Sequence, residues 1–521
     1  MKKRIIKTTI WIVIIAIVLT VFFKIGLPVL KYFRGNYIEV TLPSRNETAP
    51  KNIDTSTDIS VAKLRANFGF VTQGFCEPQA DSLRQKILTT PNTDEIYKIS
   101  GTKYYISSSE GDDNNDGLTP ETPLKSIRGM DKIWPREGDA ILFKRGDTFR
   151  FAEPITTYNS YTYGSYGEGN KPKIYGSPEN YAKSDKWENY KENIWKIPFA
   201  YNEAGGLVLN HSELVGAKRE SIDGLKSLGD YYHDFRNGIF YLYCDKGNPS
   251  SAYHDIEIMP AFSLFEALHD SANIVIDNLC LKYTAGFAIH AVNAENFTVT
   301  NCEVGFTGGK WTNAHERKLR YGNAIEFWEG AKDIKVENNW IYQTFDSALT
   351  WQGKVGSNYE NIAFTGNLFE YNNCDIEFFE NDATLKNFSI KNNIMRFTSM
   401  GWGTRKKDGG IRGIEGCIRG VTGSHPKNAP VKVESVDFTD NIIDCPARQI
   451  INWSWEPEHS NVIHTSGTKI YVKEKYRSMK NCLQGLQTKK GQLYYKSSAT
   501  NFKELNKDIK IFEQNAIIYW E

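Results

Sequence analysis

Neither sign of charge predominates in this chain. Its 63 Lys and Arg residues offset 62 Asp and Glu, leaving a formal net charge of +1, which argues against general binding of nucleic acid. Cysteine is sparse as well: eight residues are scattered singly through 521, so they do not form a small disulfide framework. No His/Cys spacing matches a zinc site. Cys280 and Cys302 read as packed thiols, because free cysteine behaves as a small buried hydrophobe. Long apolar runs are missing apart from one. After the basic stretch MKKRIIK, residues Thr8 to Phe23 are continuously apolar and the run extends past Lys24 to Leu30, long enough to span a bilayer. No small-x-small cleavage site follows, since Phe22, Phe23, Lys24 and Ile25 stand in its place. The expectation is a cytoplasmic basic tail at 1–7, an uncleaved transmembrane signal anchor at 8–30, and an extracytoplasmic C-terminal domain on a single-pass membrane protein. A cleaved signal peptide and a secreted protein are the alternative.

What the chain does contain is a repeated grammar of apolar, x, apolar, x, polar, Asn, x, apolar. The copies are IVIDNLCL from Ile274, FTVTNCEV from Phe297, IKVENNWI from Ile334, IAFTGNLF from Ile362, FSIKNNIM from Phe388 and VDFTDNII from Val436. Period-two alternation marks a strand with one buried face, and its recurrence every 23 to 28 residues, stretched by insertions elsewhere, marks a solenoid. A leucine-rich repeat would need a Leu frame, whereas Ile, Val and Phe fill the buried slots here and favour strands. An Asn at a fixed offset accepts an αL bend and bonds its amide to neighbouring coils. The predicted fold is all-β, a right-handed parallel β-helix, preceded by the transmembrane helix. Its termini need caps, because an open coil exposes unpaired backbone edges.

Residues 31–100 read as a linker and N-terminal extension, with Pro, Ser, Thr and Asn between Tyr37 and Asp58 and a short helix at Glu77 to Leu88; the folded body is expected from about Lys103. There the sequence KYYISSSEGDDNNDGLTPETPLKSI, followed by EGDAILFKRGDTFR, resembles the N-terminal coil of right-handed parallel β-helix proteins of the pectate-lyase-like superfamily, extracellular and carbohydrate-active in type. The resemblance implies a β-helix over residues 101–460; the lapse of periodicity at 201–260 reads as a β-rich elaboration, and the end of the Asn pattern makes 461–521 a C-terminal cap. It selects no reaction, because that superfamily includes lyases, hydrolases, epimerases and adhesins. The acidic run Asp112 to Gly117 lacks the distal Glu of an EF-hand and reads as a polar turn held by Asx bonds.

Each coil carries a second strand, in FAIHAV, NAIEFW, SALTWQ, DIEFF, CIRGV and QIINW. Stacked on the apolar residue, they align His290, Glu326, Thr350, Glu377, Arg419 and Asn452 in one column, turned outward by the pleat. Two rungs separate Glu326 from Glu377, roughly 9 to 10 Å at the backbone. Carboxyl groups about 6.5 to 9.5 Å apart suit an inverting glycosidase. Asp346, in the turn before Thr350, is a third candidate acid. Two insertions, from Gly308 to Gly322 and from Gly401 onward, are expected to wall the column, because binding residues concentrate in loops on a rigid scaffold. They and the strands supply candidate substrate contacts: His290, His315, Arg320, Tyr321, Trp311, Trp328, Trp351, Trp402, Arg412 and Arg419.

These features point to a membrane-tethered enzyme that cleaves glycosidic bonds in a polysaccharide, with Glu326 and Glu377, or Asp346, as acid and base and with no cofactor. A lyase acting on a uronic-acid polymer is the rival within the class; it needs a cation, calcium or Arg320, Arg412 or Arg419, and a base such as His290, His315 or Tyr321. A non-catalytic glycan-binding or structural solenoid is the alternative outside it. The sequence sets no oligomeric state.

Overall fold

The computed structural model describes residues 74–133, 135–157, 160–212, 214–267, 271–312, 319–353, 356–380, 383–404, 416–422, 432–446, 449–453, 463–472, 483–484, 487–489, 492–494 and 517–520. The basic tail, the expected transmembrane segment and the tether lie outside them; among the described residues no helix is long and apolar enough to cross a membrane.

The chain winds as a parallel β-helix with three faces. A ten-stranded sheet forms one face, in which Cys280–Thr284, Glu303–Thr307, Trp340–Thr344, Leu368–Glu370, Ile394–Arg396 and Ile442–Asp444 pair in parallel with their neighbours one coil on. The other two faces are joined into one eighteen-stranded sheet, because Ile289–Thr300 and Ile325–Glu337 run through the corner between them with a register shift at Val292/Ala294. Parallel crossovers of this kind are right-handed in nearly all cases. The front face carries the second strand of each coil; the lateral face carries the first slots of the repeat.

The polar end of the repeat divides its labour. The fifth slot takes the left-handed bend, at Asn278, Asn301, Asn338, Gly366, Asn392 and Asp440, with φ between 52° and 66°. The sixth builds a buried amide ladder, with Asn339 Nδ2 donating to Asn367 Oδ1 (3.1 Å), Asn367 to Asn393 (3.0 Å) and Asn393 to Asn441 (3.1 Å). The bend and the amide ladder expected of one Asn thus fall to two adjacent residues. The grammar also continues beyond residue 460. Ile463–Ser466 and Lys469–Val472 pair in parallel with the preceding coil, with Gly467 at the bend (φ 67°) and Thr468 buried where Asn stood before.

Aromatic residues fill the interior. Trp351 stacks on Phe327 (5.5 Å) and Phe378 (5.9 Å) and lies 4.3 Å from Phe364, all wholly buried, and each such side chain contributes about 1.5–3 kcal/mol by leaving water. All seven described cysteines are free and buried, Cys280 and Cys302 among them. The expected helix is present at Glu77–Leu88 and packs on the ten-stranded face. Its Arg84 donates to both oxygens of Glu370 (2.9 and 2.8 Å) and lies over the Trp340 ring, so the folded body already includes residues ahead of Lys103. In the acidic run, Asp112 accepts from the Asn114 N–H, Asp116 from that of Leu118, and Asp113 from those of Lys125 and Ser126, which makes it a hydrogen-bonded turn.

The insertions enter at the turn that leads into the front face. One is a β-rich module whose strands run from Glu188–Lys191 to Ile256–Pro260, starting before the expected residue 201. Arg150 of the coil donates to both oxygens of Glu257 in the module, at 2.6 Å each. Another is the hairpin of Lys310–Trp311 and Arg320–Tyr321. Gly308 and Gly322 close its neck, and a Cβ on Gly308 would meet the Gly322 carbonyl at 2.2 Å.

Candidate functional site

The front face stacks one residue per coil in unbroken register: Thr156, Glu266, His290, Glu326, Thr350, Glu377, Arg419, Asn452 and Gln484. The column therefore begins earlier than the sequence reading placed it. Glu266 was missed because its strand, Phe265–Ala267, is only three residues long and follows the module.

The middle of the column faces out of the coil but not into water. Glu326, Thr350 and Glu377 are buried although the pleat turns them outward, because an outward pleat is exposed only if nothing covers it, and the inserted segments lie on this edge. Burial makes partners obligatory. Glu326 Oε2 accepts from Asn323 Nδ2 at 2.6 Å, and Asn323 Oδ1 accepts from the Ser347 N–H at 3.0 Å. Ser347 Oγ in turn donates to Glu377 Oε2 at 2.8 Å, and Glu377 Oε1 holds Arg419 Nη1 at 2.5 Å. Asn323 and Ser347 thus bridge the two acids. On its other side Glu326 Oε1 lies 3.6 Å from His290 Nε2, and His290 Nδ1 lies 3.6 Å from Glu266 Oε1.

Desolvation raises the pKa of Glu326, opposed by the charges of His290 and Lys310 and by the Asn323 hydrogen bond, and reinforced by Glu377. A raised pKa favours the protonated form, the one a general acid needs. Lys310 was not among the candidates. It rests on the rings of Phe287 (4.8 Å) and Tyr321 (4.9 Å), and Phe287 stacks on His290 at 5.0 Å. Asp375, also missed, is buried two residues before Glu377; burial pushes its pKa up to about 7, against hydrogen bonds from Thr398 (2.5 Å) and Asn372 (3.2 Å). Asp346 is buried in the turn preceding Ser347–Gln352.

Alternation within the hairpin decides which of its residues reach the column. Lys310 pairs with Tyr321 on the side of Phe287 and His290, whereas Trp311 pairs with Arg320 on the other. Arg320 is fully buried, donates to the carbonyls of Gly309 (2.8 Å) and Gly205 (2.7 Å), and lies over Phe345. Trp311 is buried against the module beside Lys218, its N–H donating to Glu203. Trp402 packs on Phe345 and donates through Nε1 to the Gln343 carbonyl at 2.8 Å. Trp351 belongs to the interior stack. The expectation that Arg320, Trp311, Trp402 and Trp351 contact substrate is corrected: three brace the wall and one fills the coil. Trp328 and Tyr321 are half-buried, and Trp328 shares the outward face of Glu326 two residues on, beside Val292 and Gln352 of adjacent coils. His315 and Arg412 lie outside the described residues.

Among the described residues no group of three or more His, Cys, Asp or Glu is placed to hold a metal ion. No protein-family model matches the sequence, and a search of curated proteins finds no match. Solved structures similar to the chain include a glycoside hydrolase (12% identity over 72% of this chain and 93% of that one, TM-score 0.36). A pectate lyase is 10% identical over 71% and 74% (TM-score 0.35), and a polygalacturonase from Erwinia carotovora is 12% identical over 66% and 83% (TM-score 0.33). These likenesses assign no residue and no reaction to the chain; its own parallel ladders define the fold as a parallel β-helix.

Proposed function

We propose that the chain is a carbohydrate-active enzyme that hydrolyses glycosidic bonds of an extracytoplasmic polysaccharide, tethered to the membrane by residues 8–30. The observation that carries this reading is the pair Glu326 and Glu377, two rungs apart on one outward column and joined through Asn323 and Ser347. Glu326 has the raised pKa of an acid, whereas Glu377 is ion-paired with Arg419. In the reaction Glu326 protonates the leaving glycosidic oxygen while Glu377 takes a proton from water, whose oxygen forms the new bond to the anomeric carbon as the old C–O bond breaks. The acid must touch the sugar and the base the attacking water, and both carboxyls are covered, Glu326 at 3% and Glu377 at 0% exposure, so this reaction requires the cover over the column to open. Trp328 and Tyr321 offer ring faces beside Glu326, and Lys310 a cation.

The lyase alternative is weakened by the engagement of two of its three proposed arginines, since Arg320 is held by backbone carbonyls and Arg419 by Glu377. Incubation of residues 36–521 with acidic and neutral polysaccharides separates the readings. New reducing ends without ultraviolet-absorbing unsaturated uronates are expected. Absorbance rising with the ends would replace hydrolysis by β-elimination, and glycan binding without product would favour a binding solenoid.

A further inference from the structure

Glu326 has to be recharged after every turnover, and it is nearly closed off from water. The column supplies an ordered approach to it. Glu266, His290 and Glu326 occupy three successive rungs, and their side chains retain 37%, 19% and 4% of their exposure. The imidazole stands between the two carboxyls with one ring nitrogen toward each, at 3.6 Å in both directions. That distance is slightly long for a hydrogen bond, and catalytic contacts of this kind tighten in the working complex or are bridged by one water. Phe287, stacked on the ring at 5.0 Å, holds its plane. The remaining groups around the pair are Lys310 and Tyr321 on the hairpin, Asn323 at its end and Glu377 two rungs on.

We propose that Glu266 and His290 form a proton relay that returns a proton from solvent to Glu326 after each cleavage, an inference that rests on the acid/base reading above. The transfer balances without a co-reactant. A proton reaches Nδ1 of the Nε2–H tautomer of His290 through the Glu266 carboxyl, the Nε2–H bond breaks as the O–H bond on Glu326 Oε1 forms, and the Nδ1–H imidazole that is left returns to the Nε2–H tautomer by proton exchange with solvent, which reaches the part-exposed ring, before the next cycle. The proton released by Glu377 to water closes the balance. Glu266 is a relay residue that touches no reacting atom, so its role is distinguishable from packing or sugar binding.

The test is a pH jump on residues 36–521, following the infrared carbonyl band of protonated Glu326, identified by its loss in Glu326→Gln. In Glu266→Gln the band is expected to return at least about tenfold more slowly than in the wild type, with imidazole in the buffer restoring the rate in His290→Ala. Both variants should keep the wild-type circular dichroism. An unchanged recovery rate in Glu266→Gln, or a slowed one in His290→Ala that imidazole leaves slow, would overturn the relay. The readout needs no substrate. If the wild type cleaves no polysaccharide while recovery still depends on Glu266, the relay stands and the hydrolase reading falls; if cleavage occurs and recovery ignores Glu266, the reverse holds.

Discussion

Two ladders climb this β-helix, and they solve the problem of buried polarity in opposite ways. In the amide ladder every rung is alike. Asn367 donates to Asn393 and to the Val336 carbonyl, and its oxygen accepts from both the backbone N–H and the side chain of Asn339. It is neutral and complete within itself, as a buried network should be to stabilise a fold. The front column mixes carboxyls, imidazole, hydroxyl and guanidinium at the same spacing. Its rungs differ in exposure, and the position of Glu326 costs enough desolvation to move a pKa. Repetition marks the ladder that builds the coil. Irregularity, with the desolvation it imposes on Glu326, marks the one proposed to function.

The sharpest way to break this contrast is to remove the charges from the column. Glu326→Gln and Glu377→Gln are each expected to lower turnover by about 10²- to 10⁴-fold while glycan binding and circular dichroism persist. Turnover surviving both substitutions would move the chemistry elsewhere. Trp351→Ala should do the converse, costing about 3–5 kcal/mol in denaturant unfolding without changing glycan affinity, since the ring lies inside the coil. Weakened glycan binding by stable Trp351→Ala protein would place that ring in the groove after all. Asn367→Ala comes next: it removes the acceptor of the Asn339 backbone N–H and of one Asn339 Nδ2 hydrogen, at about 1–3 kcal/mol for each group left unsatisfied, while Asn393 Oδ1 keeps the backbone N–H of residue 367. Turnover per folded molecule should be unchanged, and a selective loss of activity would mean that the two ladders are coupled.

The coil and the register of the column were legible in the sequence, because a side-chain period of two and one Asn slot leave little freedom in how strands stack. His290, Glu326, Thr350, Glu377 and Arg419 follow from that alone. So does the inward direction of Trp351, which alternation places on the same side as Leu349. The walls were not legible in this way. Arg320 and Trp402 sit in insertions whose orientation depends on a module distant in sequence, as the Arg320 bond to Gly205 shows. The burial of Glu326 had the same cause, since no local pattern records what a distant insertion will cover. Glu266 stayed hidden for want of a full strand around it, and Lys310 because a lysine among several in one loop gives no sign of which will meet an aromatic wall.

Lys310 provides the subtlest distinction between the ladders, because it acts on Glu326 by charge, without a hydrogen bond of its own among those that hold the carboxyl. Its ammonium lowers the pKa of Glu326 against the larger upward effect of burial. Lys310→Met should therefore raise that pKa further. A general acid works only while protonated, so activity present below the Glu326 pKa and lost as pH rises through it should persist to higher pH in the variant, moving the alkaline limb of kcat/KM upward. Stability shifts in the same sense. A carboxyl whose pKa is raised on folding contributes stability that is complete below its unfolded value and is lost as pH rises through the folded one, so the contribution in Lys310→Met should extend over a wider pH window. Matched pH profiles of turnover and unfolding for the wild type and Lys310→Met check both. An alkaline limb that stays in place while unfolding shifts would show that Glu326 feels Lys310 but is not the acid.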